Sequence, residues 1–190
     1  MIEKLENHPL PPFLPQNARI LLLGSFPPPK KRWCIDFFYP NFNNDMWRVF
    51  GLVFFADPLH FIDTEHKCFR KQDIVDFLSE KRIGIYDTAC QVIRQQDNAS
   101  DKFLEVVTPT DIEFMLRDYP ECRTLITTGQ KATDILCAYY SVDSPSVGGY
   151  VEVNSPRGLL RIYRMPSTSR AYPLSLVQKA AVYKKVLCVL

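Results

Sequence analysis

No apolar run in these 190 residues approaches the roughly 20 needed to cross a bilayer as a helix. The first residues, MIEKLENHPLPP, lack the basic-then-apolar order of a secretory leader. Together these absences predict a cytoplasmic protein with no membrane partner. Two phosphate-loop patterns, G-x-x-x-x-G-K-[ST] and G-x-G-x-x-G, are also missing, which argues against the common nucleotide-binding enzymes. The cysteines at 34, 68, 90, 122, 137 and 188 include no C-x-x-C pair, so neither a zinc ribbon nor an iron–sulfur cluster is indicated. Buried thiols in a reducing compartment are expected instead. His66 stands near Cys68, but the spacing fits no standard metal site, and a surface loop is expected there. There is no internal repeat and no low-complexity segment.

What is there is ordinary globular composition, 46% hydrophobic and 23% charged. The length predicts one domain over residues 1–190 with a real core; a monomer is the expected state. Pro9, Pro11, Pro12 and Pro15 predict an extended arm over residues 1–18. The net charge of +2 selects no partner, but its distribution is uneven. No acidic residue follows Glu152, while Arg157, Arg161, Arg164, Arg170, Lys179, Lys184 and Lys185 do. Lys30, Lys31 and Arg32 form a second basic group. These cations suit either solvated faces or a surface turned toward a polyanion.

The order of elements predicts an α/β protein. RILLLG (Arg19 to Gly24) reads as a buried strand, because a continuous apolar run suits a strand covered on both faces. NDMWRVFGLVFF (Asn44 to Phe55) and RKQDIVDFLSEKR (Arg70 to Arg82) have helical spacing, and IGIY (Ile83 to Tyr86) is a second strand. TPTDIEFMLRDYP (Thr108 to Pro120) reads as a helix between a cap and a proline. TLIT (Thr124 to Thr127) is a third strand, followed by a helix over GQKATDILCAYY (Gly129 to Tyr140). YVEVNSPRGLLRIYRM (Tyr150 to Met165) reads as two strands around a turn, and a last helix runs from about Leu174 to Val189. Alternation of this kind predicts a short central parallel sheet with helices on both faces. Ligands of such sheets bind beyond the C-terminal strand ends. That puts Gly24 to Tyr39, Asp87 to Thr88, Thr128 to Gln130 and Met165 to Arg170 around one crevice.

Four segments at these ends carry a resemblance. They are "GSFPP" followed by "FFYPNFNNDMWRVFG"; "RIGIYDTACQVIR" with "NASD" after it; "DYPECRTLITTGQKATDIL"; and "MPSTSRAY". Taken in order, they resemble the uracil-DNA glycosylase superfamily, and within it the mismatch-specific and hypoxanthine-DNA glycosylase branches. The resemblance covers roughly Arg19 to Tyr172. It implies a three-layer α/β/α sandwich and an enzyme of base excision repair. Such an enzyme hydrolyses the N-glycosidic bond of a deaminated base, uracil or hypoxanthine, in DNA carrying a damaged or mispaired base. It uses no cofactor and no metal.

A base inside a duplex is out of reach, so it must be flipped into a pocket, at a cost of a few kcal/mol of unstacking. Stacking on an aromatic ring returns about 1–3 kcal/mol. This gives a reason for the proline-stiffened, ring-rich loop: it is a pocket wall. Gly24, Ser25 and Phe26 begin the wall. Phe37 is the first choice of stacking ring, with Phe38 and Tyr39 close behind; two of the three are expected to pack the core. Better-known branches hold the water with an Asp or Asn where this chain has Phe26. In the hypoxanthine branch the asparagine before the tryptophan substitutes, here Asn44, although Asn41 and Asn43 leave the register open. Asn44 is also expected to cap its helix. The second motif has Met165 where relatives place His or Asn, so donors to the departing base must come from elsewhere. Ser167, Thr168 and Ser169 suit phosphate contacts, or an ordinary turn, and Arg170 the gap left by the flipped base. Asp87 orders a base N–H or a water, or caps a turn. Gly129 serves a tight strand-to-helix turn. Ser100 and Asp101 match a Ser/Asp pair of the family. The same residues also permit a non-catalytic nucleic-acid-binding module on this fold or, less in keeping with them, an enzyme acting on a free nucleotide.

Overall fold

In the computed structural model, which describes residues 5–95 and 101–188, the proline-rich arm is built into the sheets. Leu5–Asn7 forms β1 and pairs antiparallel with a later strand, Leu5 opposite Ile93. Further on, Phe13 exchanges backbone hydrogen bonds with Ile85, in both directions, at 3.0 and 2.8 Å. The arm thus covers a strand edge that would otherwise expose unpaired amides.

Ile20–Gly24 forms β2 and Met46–Phe55 forms α1. A small hairpin follows, β3 (Ile62–Asp63) and β4 (Cys68–Phe69), then α2 (Lys71–Glu80) and β5 (Ile83–Asp87). Next come β6 (Ala89–Arg94), β7 (Leu104–Pro109) and the single turn α3 (Ile112–Met115). The chain ends with β8 (Thr124–Thr128), α4 (Gln130–Tyr139), β9 (Tyr150–Ser155), β10 (Gly158–Met165) and α5 (Leu176–Leu187).

The central sheet has the order β5-β2-β8-β10-β9. The first four strands are parallel and β9 is an antiparallel edge. Every residue of β2, β5 and β8 is buried, with Leu22 between Ile85 and Ile126, so helices and loops cover both faces. The expected α/β class, with a central, mostly parallel sheet flanked by helices, is what the chain adopts. Trp47 in α1 is fully buried, and its indole N–H reaches the Phe38 carbonyl at 3.2 Å, fixing the ring-rich loop to the helix.

Three departures matter. A second sheet, β1-β6-β7, is antiparallel throughout and was not expected. The helix expected over Thr108 to Pro120 shrinks to α3, because Thr108 and Pro109 complete β7. The Thr108 hydroxyl donates to Gln91 in β6 at 2.6 Å, and the cap is Asp111, whose carboxylate accepts from the Phe114 N–H. Of the six cysteines only Cys122 and Cys137 are buried, while Cys188 is exposed. Burial pushes the Cys122 thiol up to about 12, so it is no ready thiolate.

Candidate active site

The tips of β2, β5 and β8 end side by side in Gly24, Asp87 and Thr128. Thr88 donates from both its N–H and its hydroxyl to the Gly24 carbonyl, at 2.8 and 3.1 Å, locking two of the tips together. Above the tips opens a cleft of about 520 Å³, walled by the loop from Ser25 to Asn44 and by the segment Ser167 to Pro173.

The floor is a closed set of contacts. A carboxyl oxygen of Asp87, Oδ1, lies over Gly24, where any side chain would come within 2.4 Å of it. The other, Oδ2, is 2.8 Å from His8 Nε2, and both side chains are almost wholly buried. Tyr39 sits at a left-handed φ of 49°. That turn carries its hydroxyl to the Thr128 hydroxyl at 2.7 Å. Burial first, and the Asp87 charge second, hold the Tyr39 hydroxyl far above its ordinary range, so it stays neutral. Gly129, at φ 102°, makes the expected turn from β8 into α4, and a side chain there would press on Ser167.

Rings line the wall above. Phe26 is half-buried and faces the cleft, edge-on to the His8 imidazole with 5.3 Å between centroids. Ser25 donates to Asp101 at 2.6 Å. Surrounding protein raises the Asp101 carboxyl, the Ser25 hydrogen bond opposes the rise and the Asp87 charge adds to it; the residue as a whole remains exposed, so solvent moderates the effect.

The rim is built from local turns. Asn44 Oδ1 accepts from the Met46 N–H at 2.8 Å, but the N-cap of α1 is Asp45, with no side-chain cap, rather than Asn44 as expected; Asn44 sits one residue earlier and turns the chain into the helix. Asn44 also bridges to Ser169, and the Asp45 N–H donates to the Thr168 carbonyl at 2.9 Å, so the two walls are stitched together. The Ser167 and Ser169 hydroxyl oxygens accept from the backbone N–H groups of Ser169 and Ala171, at 3.2 and 3.3 Å. Each hydroxyl keeps a proton that it can donate. Behind the rim, Asp45 receives both the buried Lys179 ammonium at 2.9 Å and the Arg170 guanidinium at 3.2 Å, and Lys179 also donates to the Ser169 carbonyl.

Gly24, Ser25, Phe26, Phe38, Tyr39, Asn44, Asp87 and Ser167 to Ser169 therefore share one hollow. Phe37 does not. It is 7% exposed and packs on Phe13, Phe38 and Trp47 in the core, so it offers no face to a base. Phe38, 2% exposed, reaches the cleft only as backing. Arg170 does not line the cleft but pairs with Asp45 at its edge. Met165 is fully buried. The basic tail is largely engaged: Arg161 with Glu152, Arg157 with the carbonyls of Tyr119 and Cys122, and Lys179 as above. Asp101 lines the cleft; Ser100 lies outside the described residues. His8 was missed, because an isolated histidine in an arm carries no pattern that joins it to a strand tip. Among the described residues no cluster of His, Cys, Asp or Glu could hold a metal, and no helix is long and apolar enough to cross a membrane.

This arrangement of sheet and helices is one already seen in a solved structure. The comparison that shows it is with the solution NMR structure of a protein from Methanosarcina acetivorans, provisionally named a uracil DNA glycosylase. The match covers 97% of each chain, with a TM-score of 0.61 and 20% sequence identity. It establishes the fold. No protein-family model matches the sequence, and no curated protein matches it significantly.

Proposed function

We propose that this chain is a monofunctional DNA glycosylase that releases a deaminated base, uracil or hypoxanthine, from a flipped nucleotide. The observation that carries the reading is the meeting of Asn44, Asp87 and the Ser167 to Ser169 turn around one cleft of about 520 Å³ with a partly exposed ring, Phe26, on its wall.

Each part has work suited to it. Phe26 gives the extruded base a π-face, worth about 1–3 kcal/mol against the unstacking cost. Asp87 accepts from the ring N–H of the base. The neutral Tyr39 hydroxyl and the Thr128 hydroxyl add polar contacts beside it. Bond cleavage builds positive charge on the sugar and negative charge on the base. Asn44 Oδ1 keeps a second lone pair beyond its bond from the Met46 N–H, and the amide keeps its N–H groups. It thus orders the attacking water at the sugar. The Ser167 and Ser169 hydroxyls donate to phosphates on either side of the flipped nucleotide, a contact that positions without reading sequence.

A second reading has its own support. Phe26 and Met165 stand where better-known branches carry polar catalytic side chains, and Met165 is fully buried. A non-catalytic module that binds DNA would keep the cleft and lose the chemistry. Oligonucleotides containing uracil, hypoxanthine or xanthine, incubated with excess protein and then treated with alkali, separate the two. Scission at any of these bases supports the enzyme; retained binding without scission at all three establishes the module.

A further inference from the structure

The cleft floor contains a side chain from the far end of the chain. His8, just past β1 in the arm, sends Nε2 to Asp87 Oδ2 at 2.8 Å with its ring only 3% exposed. The histidine is itself held. Its Nδ1 is 2.7 Å from the Leu10 carbonyl, its backbone N–H donates to Cys90 in β6 at 2.8 Å, and its ring packs 4.5 Å from Tyr86 and 5.3 Å from Phe26. Asp87 is fixed on its other sides by the bare Cα of Gly24 and by the Thr110 hydroxyl on its backbone carbonyl. Of this pair only Asp87 lines the cleft. A buried carboxyl with one oxygen held 2.8 Å from an imidazole nitrogen and the other against the cleft floor is an oriented group.

We propose that His8 is a positioning residue of this site: by holding Asp87 as a fixed acceptor, it makes the cleft select bases with a protonated ring nitrogen over bases with a ring lone pair there. The inference rests on the glycosylase-like reading of the cleft. Hypoxanthine presents N1–H and uracil N3–H to such an oxygen. Adenine and cytosine present a lone pair at the same ring position and are repelled by it. Without the imidazole, Oδ2 is buried with no donor, so a water or a proton must stand in its place and the carboxyl is no longer fixed. A carboxyl free to turn no longer presents one fixed acceptor to the base edge, so the lone pair of an amino base is no longer excluded.

The test uses the full chain and two non-hydrolysable oligonucleotides, one with 2′-fluoro-2′-deoxyinosine and one with 2′-fluoro-2′-deoxyadenosine, titrated by fluorescence anisotropy. The unaltered protein should prefer the inosine strand. His8→Ala should cut that preference about tenfold, the size of one oriented hydrogen bond to a charged group, while binding to undamaged DNA stays the same. His8→Gln places an amide N–H near the same point and should restore most of the preference, which a purely structural role for the ring would not do. Asp87→Asn should abolish it. Melting curves identify any variant that fails to fold, and the remaining variants decide the question. An unchanged preference in folded His8→Ala overturns the proposal and leaves the glycosylase reading standing. Preference in the unaltered protein, lost in His8→Ala, with no release of hypoxanthine from a cleavable strand, upholds the proposal and defeats catalysis alone.

Discussion

The floor and the rim of the cleft are built on opposite plans. The floor is made of side chains from distant parts of the chain, each with a fixed partner: Asp87 with His8, Tyr39 with Thr128, Ser25 with Asp101. The rim is made largely of short turns between neighbours in sequence, Ser167 with Ser169 and Ser169 with Ala171, beside a half-exposed Arg170. A preorganised floor suits reading one base, where a misplaced acceptor leaves a buried group unpaired. A rim of local donors suits gripping a backbone that is the same at every nucleotide. Asn44 stands where the two meet, and altering it should have the largest effect. Asn44→Ala is expected to lower the single-turnover rate of base release by about 10²-fold or more, while costing only about 1 kcal/mol of stability through the lost hydrogen bond to Met46. A rate within threefold or so of the unaltered protein would move the water to Asn41 or another group.

Stability separates the regions next. Lys179 is buried under the rim, pairing with Asp45 and holding the Ser169 carbonyl. Removing one member of a buried pair leaves its partner's charge uncompensated, at a cost of about 3–5 kcal/mol. Lys179→Met should fall at the lower end of that range, because Arg170 still reaches Asp45. Denaturant melts measure it. A loss below about 1 kcal/mol would mean that Arg170 alone neutralises Asp45.

The rings give a smaller and sharper contrast. Phe26→Ala should weaken binding of a flipped-base oligonucleotide by about 1–3 kcal/mol, through lost stacking. Phe37→Ala should instead destabilise the fold by about 3–5 kcal/mol, as a large core truncation does, and leave the folded protein's affinity close to normal. If the two swap effects, the base lies on the other side of the wall.

These contrasts follow what the sequence can carry. The three buried strands of the central sheet are legible because an unbroken apolar run has one comfortable place, between two covered faces. Their tips converge by topology, so Gly24, Asp87 and Thr128 fall together without any side-chain detail. Asn44 and the Ser167 to Ser169 turn follow from the resemblance and from local turn chemistry. Nothing local separates Phe37 from Phe26. Which ring faces the cleft depends on how the loop folds back on α1 through Trp47 and on the left-handed turn at Tyr39. His8 is 79 positions from Asp87 and reaches it only because the arm pairs with β6. The β1-β6-β7 sheet escaped for a related reason: β1 has three residues, and β6 buries one residue in three rather than alternating.

The smallest expected effect is at the rim, and it tests whether the rim touches phosphate at all. Arg170 is paired with Asp45, which would seem to use up its charge. Asp45, however, has a second and fully buried cation in Lys179, and the Arg170 side chain is 51% exposed. An arginine that shares its carboxylate with a better-placed lysine can turn its remaining N–H groups toward a phosphate at little cost. Arg170→Ala should then weaken binding to damaged and undamaged DNA alike and flatten the dependence of log K on log salt by about 1, the share of one phosphate contact. The preference between inosine and adenosine strands should not move, because no base-reading group is involved. An unchanged slope would confine Arg170 to its pairing with Asp45 and leave Arg32, which lines the cleft, as the cation that meets the backbone.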